Sequence, residues 1–160
     1  MYYLSIVCAR QSLYITNPYF VPDPVAIDTL VDARRRGVDV RIMVAGVHND
    51  NALARYNTIR LYGRLLRAGI RILEYDKTML HQKVMVADGC WVTIGTTNFD
   101  YRSFAHNEES NVCVYDRGLA AQFERAFRED MAGCSVVTLE EWQRRGVVCR
   151  RLHPWPLIRR

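Results

Sequence analysis

Between His81 and Glu109 the chain reads HQKVMVADGCWVTIGTTNFDYRSFAHNEE, and no other stretch restricts its fold and chemistry so closely. His81 and Lys83 stand two residues apart, so in extended backbone both side chains leave on the same face. Asp88-Gly89 is a tight-turn pair, and Trp91 to Gly95 is a short run suited to return alongside as the second arm of a hairpin. Gly95-Thr96-Thr97-Asn98 closes that arm with small and polar residues, where backbone can approach an anion closely. A nucleophile or base, a fixed cation and an amide thus gather at the ends of paired strands, a constellation suited to handling phosphate.

The spacing resembles the HKD motif of the phospholipase D superfamily, H-x-K-x4-D-x6-G-[ST]-x-N. His81, Lys83, Asp88, Gly95, Thr96 and Asn98 occupy its fixed positions. Downstream, Asp100, Arg102, Ser103, Asn107 and Glu109 resemble the continuation N-x-D-x-R-S-x3-N-x-E of bacterial cardiolipin synthases. Ile15 to Asp23 resembles the segment that opens the second half of those enzymes, and the likeness runs from roughly Ser12 to Asp130.

This resemblance implies that His81 attacks phosphorus and forms a phosphohistidine, with no metal or other cofactor. A histidine suits the role because its ordinary pKa of about 6.5 leaves much of it neutral near pH 7. Lys83 and Asn98 would hold the non-bridging oxygens as charge shifts onto them. Thr96 and backbone amides near Gly95 would add substrate-binding donors. Glu109, at the position of the family's glutamate, would orient His81 through its other ring nitrogen. Asp88 is expected to serve the turn or to balance Lys83, although it belongs to the motif.

The superfamily needs a second histidine, from a second HKD motif, to protonate the leaving alkoxide. Here only His81 has a lysine two residues on; His48, His106 and His153 do not. The second half must come from a homodimer, as in single-motif nucleases of the superfamily, or from an N-terminal half of a longer enzyme. The uncapped start at Met1 and the likeness to cardiolipin synthases favour the longer enzyme.

Composition narrows the setting. A formal net charge of +5 favours anionic partners: phosphodiesters, nucleic acid or an acidic membrane surface. Five cysteines, widely spaced and without CxxC or Cys/His zinc spacing, are read as reduced core thiols in a cytosol-facing protein. No apolar run is long enough for a membrane span. The expected location is peripheral, at the cytoplasmic face of a bacterial inner membrane, where Trp142, Trp155 and an arginine-rich tail could touch the interface.

In chain order, Met1 to Gln11 reads as a helix with Tyr3, Leu4, Val7 and Cys8 on its core face. Asp23 and Pro24 start a helix that runs to Arg36 and closes at Gly37, its arginine run complementing the helix dipole. Val38 to Val44 is a half-buried strand, Ala52 to Ala68 an amphipathic helix, and Ile70 to Tyr75 a strand. After the hairpin come a strand at Ser110 to Tyr115, a helix at Leu119 to Met131 and a strand at Ser135 to Thr138. Thr138 and Glu141 form a capping box for a last turn. The fold class is α/β: a mixed, largely parallel central sheet flanked by helices. Residues 1–143 form one catalytic half-domain, and 144–160 a basic, irregular tail.

The function expected from this reading is phosphatidyl transfer or phosphodiester cleavage of the phospholipase D type. Its substrate is a phosphatidylglycerol-like phospholipid and its product cardiolipin. A homodimeric endonuclease is one alternative, with nucleic acid the less favoured partner. A catalytically silent remnant that binds a partner half or an acidic membrane is the other.

Overall fold

The computed structural model describes residues 1–145. In chain order the elements are α1 (Tyr2–Cys8), β1 (Ser12–Thr16), β2 (Phe20–Val21), α2 (Pro24–Arg35), β3 (Asp39–Ala45), α3 (Ala52–Arg67) and β4 (Arg71–Tyr75). Then follow β5 (Val84–Ala87), β6 (Trp91–Gly95), β7 (Phe99–Asp100), α4 (Tyr101–Ala105), β8 (Asn111–Tyr115), α5 (Arg117–Met131), β9 (Cys134–Val137) and α6 (Leu139–Arg144).

Seven strands make one sheet in the order β8-β6-β5-β1-β3-β4-β9, and β2 pairs with β7 in a small parallel ladder beside it. The expected mixed sheet with flanking helices is what forms. Its parallel part is narrower than expected: only β1, β3 and β4 run parallel, while the other four pairings of the main sheet are antiparallel. The helical crossovers α2 and α3 return the chain in the same direction. From β5 to β6 a tight turn replaces the crossover and forces the strand to reverse.

The side chains of β1 split between two layers. Leu13 and Ile15 face a core built with α1, α2, α3 and α6; Tyr14 faces the opposite side, where Phe127 of α5 stacks on it at 5.0 Å. α5 also covers Met43 and Ala45, so β3 is buried on both faces toward its end rather than half-buried along its length. α1 turns differently from the expected face. Tyr2, Ser5 and Ile6 point inward and Leu4 and Val7 are exposed, because the Tyr2 ring meets Phe99 edge-on at 5.3 Å and its hydroxyl donates to the Thr97 carbonyl.

The capping residues act as their sequence positions suggest. Asp23 accepts from the Ala26 amide at 2.8 Å, and Gly37 and Gly69 adopt positive φ after α2 and α3. Thr138 and Glu141 complete the capping box of α6. Of the arginine run, Arg34 donates to the Val38 and Gly69 carbonyls, Arg35 pairs with Asp32, and Arg36 donates to carbonyls at the end of α1.

Three expectations need correction. Trp142 is not an interfacial residue: it is 9 % exposed, it donates to the Ile59 carbonyl at 2.7 Å and it packs on Gly63. The boundary expected after residue 143 falls inside α6, and Arg145 forms a two-pronged pair at 2.8 and 2.9 Å with Glu74, which is buried in β4. The described cysteines are free, as expected, but none is fully buried, and Cys8 is exposed. Trp155, Cys149, His153 and the rest of the expected tail lie outside the described residues. The two-residue strands β2 and β7 and the short helix α4 were not anticipated. Phe20 stacks on Phe99 at 5.0 Å and so ties the proline-flanked loop after β1 to the segment after β6.

The β5–β6 turn carries the clearest structural test. Asp88 holds φ +51, unusual for a residue with a side chain, and Gly89 holds φ +60, as the tight turn requires. The Asp88 carboxylate accepts from the amides of Arg10, Gln11 and Ser12, at 2.7 Å for Gln11. Asp88→Ala leaves these amides without their acceptor and puts alanine at positive φ, so it should lower stability by roughly 2–3 kcal/mol. Urea unfolding measures this, and a loss below about 0.5 kcal/mol would show that the carboxylate is not what joins the turn to β1.

Candidate active site

β1 pairs antiparallel with β5, bringing Val84 opposite Thr16 at the end of the central strand. The segment just before β5 therefore emerges at the end of the sheet where β1 finishes. His81 and Lys83 lie in that segment, in extended backbone ahead of the strand. Their side chains meet as the spacing suggests. The Lys83 ammonium donates to the His81 carbonyl at 2.9 Å and lies 3.3 and 3.4 Å from the two ring nitrogens. His81 is exposed and borders an open cavity of about 250 Å³ lined also by Tyr75, Thr78, Met79, Leu80 and Gln82.

Lys83 is only 7 % exposed, and among the described residues it makes no ion pair. Burial pushes its pKa below the ordinary lysine value, while the Glu109 and Asp50 carboxylates pull the other way from a distance. A half-compensated ammonium at the end of a sheet is a site for an anion. The fold supplies positive potential there with, among the described residues, no carboxylate in contact with it.

The segment after β6 closes the other side, but not in the expected manner. The amides of Gly95, Thr96 and Thr97 donate to the Lys83 carbonyl, the Ser110 carbonyl and the Asn111 side chain respectively. They are committed and do not form an anion-binding nest. Gly95 is needed for another reason: a Cβ there would lie 2.0 Å from Asn111 Oδ1 and 2.1 Å from the Ser110 carbonyl. The Thr96 hydroxyl is also committed, donating to Glu109 and accepting from the Ser110 amide. Gly95 and Thr96 thus shape the site, and their polar groups are turned to the protein rather than to a substrate. The Asn98 side-chain oxygen is buried with no partner among the described residues; being an acceptor it does not itself bind a phosphate oxygen, a role that would fall to the NH2 of the same amide.

Glu109 enters the site through Thr96 at 2.5 Å and Asn107 at 3.4 Å. The orienting bond expected from Glu109 to the His81 ring is not present among the described residues. The Thr96 hydroxyl, with help from the Lys83 charge, holds the Glu109 carboxyl below its ordinary pKa, so Glu109 stays ionised and faces Lys83 as a fixed negative charge. Asp88 is at the far end of β5, on the order of 15 Å from Lys83 at strand rise, with its oxygens on the amides of Arg10 to Ser12. It neither balances Lys83 nor reaches a substrate held there. Asp100 caps α4 by accepting from the Ser103 amide at 2.7 Å.

Two site residues were missed. Tyr19 donates to Asp50 at 2.5 Å, joining the loop after β1 to the loop after β3, and Asp50 is close enough to His81 and Lys83 for their charges to act on it. The pair spans 31 positions, which no local pattern reveals. One general signal was available: in α/β sheets, ligands gather beyond the carboxyl ends of parallel strands, and both loops lie there.

Fold and sequence together are those of a phospholipase D-like domain. Residues 5–131 match the family described as "Cardiolipin synthase, PLD-like domain", and the chain belongs to that family. It is 38% identical over 149 residues to a cardiolipin synthase of Clostridium perfringens and 37% identical over 149 residues to cardiolipin synthase 2 of Staphylococcus epidermidis. Each match takes in 93% of this chain, which spans 31% and 30% of the length of those two curated relatives. In fold it is similar to Nuc of Salmonella typhimurium, described as a phospholipase D family member. That match has a TM-score of 0.75 at 23% identity, over 85% of this chain and 88% of that one. Among the described residues no helix is long and apolar enough to cross a membrane.

Two outcomes follow from the site's charges. Lys83→Met should reduce phosphodiester turnover by about 10²–10³-fold. Because the ammonium has no ion-pair partner to orphan, the same change should leave stability within about 1 kcal/mol or raise it; a loss above about 2 kcal/mol in urea unfolding would show that Lys83 is structural. For Glu109, a folded pKa below the ordinary 4.5 means that its stabilising contribution is complete above the unfolded value and is lost as pH falls through the folded one. Thr96→Val should move the Glu109 midpoint up toward 4.5 in a carboxyl NMR titration, and an unmoved midpoint would contradict the assigned cause.

Proposed function

We propose that this chain is one catalytic half of a phospholipase D-type phosphatidyltransferase that forms cardiolipin from phosphatidylglycerol. The observation that carries this reading is the buried, unpaired Lys83 ammonium held against the exposed His81 ring, in a chain that belongs to the cardiolipin synthase PLD-like family. A His81 ring nitrogen attacks phosphorus. The bond to the leaving alcohol breaks, and the opposed histidine of a second half gives that alkoxide a proton. In the second step the same histidine takes a proton from the acceptor alcohol, whose oxygen attacks phosphorus and releases His81. Water in place of the alcohol gives hydrolysis.

Roles within this chain follow from the contacts. Lys83 and Asn98 bind the non-bridging oxygens, where charge accumulates in the transition state. Glu109 tempers the Lys83 charge so that the site is not overly cationic. Residues 1–143 make up most of the catalytic half-domain. The second half is supplied by a homodimer or by further sequence, and a two-fold arrangement brings two copies of this sheet end face to face. The net charge of +5 suits peripheral attachment to an acidic membrane at its cytoplasmic face.

A homodimeric nuclease is the second reading, which the net charge of +5 allows because it favours anionic partners. Labelling of His81 cannot separate the two, but substrate and salt dependence can, since nucleic-acid affinity falls steeply with salt.

The test is rapid quenching with a phosphorus-labelled lipid, on the protein sized by light scattering. A base-stable, acid-labile phosphoprotein that disappears in His81→Ala is the expected result. Turnover that survives in His81→Ala within about tenfold would remove His81 from the nucleophile's role.

A further inference from the structure

The Tyr19–Asp50 pair is not accounted for by phosphate chemistry. A second carboxylate beyond Glu109 disfavours the phosphodiester that Lys83 attracts, since like charges repel. Yet Asp50 is placed there by an unusually well-fixed loop. The Val47 amide donates to Asp76, Asn49 donates to the Gly46 carbonyl, Arg55 donates to the same carbonyl at 2.7 Å, and the Asn51 side chain caps α3. Gly46 has no room for a side chain, because a Cβ would lie 2.0 Å from Asp76 and 2.7 Å from the Tyr75 carbonyl.

Tyr19 is fixed as firmly. Its amide donates to Asn17, the Asn17 side chain donates to the Thr97 carbonyl, and Phe20 and Phe99 stack beneath. The β2–β7 ladder pairs Phe20 with Phe99, so the residues one step earlier, Tyr19 and Asn98, lie beside each other. Tyr19 thus runs beside the segment that carries Asn98, and its partner Asp50 is close enough to His81 and Lys83 for their charges to act on it. The pair bridges the ends of β1 and β3 over the same crevice.

From this geometry we infer that Asp50, held by Tyr19, is a specificity-determining residue that accepts hydrogen bonds from hydroxyl groups of a polyol carried by the phosphodiester. This rests on the phosphodiesterase reading above and assigns the part of the substrate beyond phosphorus. A carboxylate rewards a donor such as a hydroxyl and repels a further anionic group. The pair does not behave as a proton shuttle. The Tyr19 phenol is pushed up to about 12 by burial and by Asp50, while Asp50 is held below its ordinary value by Tyr19 first, with the His81 and Lys83 charges adding to it. Donor and acceptor keep their roles through the neutral range. Among the described residues Asp50 makes no ion pair, so its acceptor capacity is not consumed by a protein cation.

The experiment is calorimetric titration of the full chain with three phosphodiesters: the monoanions dimethyl phosphate and glycerophosphoglycerol, and the zwitterion glycerophosphocholine. Wild-type protein should bind glycerophosphoglycerol about tenfold or more tightly than dimethyl phosphate, and Asp50→Asn should erase that preference. Tyr19→Phe removes the clamp but keeps the carboxylate, and should retain the greater part of the preference. The inference is overturned if Asp50→Asn weakens dimethyl phosphate and glycerophosphoglycerol equally, or if Tyr19→Phe is as damaging as Asp50→Asn; either would make the pair a structural clamp. Strongest binding of glycerophosphocholine would overturn it too, by making Asp50 an ammonium site. If dimethyl phosphate binds with no glyceryl preference, this inference alone fails. If no diester binds, the phosphodiesterase reading falls with it.

Discussion

The joint between Asp88 and the amides of Arg10 to Ser12 sets the register on which the site depends. It locks the turn of the β5–β6 hairpin to the start of β1, the central strand. From that fixed end, strand geometry carries Leu13 opposite Ala87 and Thr16 opposite Val84. A slip of one residue would turn every β5 side chain to the other face and reverse which of them emerge beside β1. The motif's aspartate thus fixes the strand at one end, and Lys83 stands just ahead of the other.

What appears there is costly to keep. Most buried charges in proteins are paired, and Glu74 shows this chain doing so: its carboxylate takes a two-pronged bond from Arg145 and a hydroxyl from Tyr62, with Arg55 at 3.8 Å. Lys83 is left with its own backbone neighbour, a histidine ring and two carboxylates acting at a distance. The contrast within one molecule is informative. Where a charge serves the fold, partners are supplied in contact; among the described residues Lys83 has no such partner, which suits the anion-binding role proposed for it.

Local chemistry was legible in the sequence to the extent that it was local. Asp23 and Pro24, the Thr138–Glu141 box, the glycines after α2 and α3 and the Asp88-Gly89 turn all follow from the conformational preferences of single residues. The HxK spacing correctly brought His81 and Lys83 together, although the segment is extended backbone ahead of the strand. Long-range competition was not legible. Nothing in GTTN says that its amides and hydroxyl would be claimed by Lys83, Ser110, Asn111 and Glu109 before any ligand arrives. The face of α1 was misread because apolar Leu4 and Val7 looked like core, whereas the aromatic cluster of Tyr2, Phe99 and Phe104 decides which way the helix turns.

The mixed direction of the sheet explains why such a site can exist. In an all-parallel sheet only the carboxyl ends of strands reach one edge, and each offers a loop leading into a helix. Here β1 and β3 bring their carboxyl ends, and with them Tyr19 and Asp50. Because β5 runs antiparallel to β1, the residues ahead of its amino end, His81 and Lys83, arrive at the same edge. β6 reverses again and delivers Asn98, while β8 begins there and keeps Glu109 just before it. On the proposed reading, the parallel part of the fold contributes the alcohol-facing side of the crevice, with Asp50, and the antiparallel part the phosphate-facing side, where Lys83 stands with Glu109 near it.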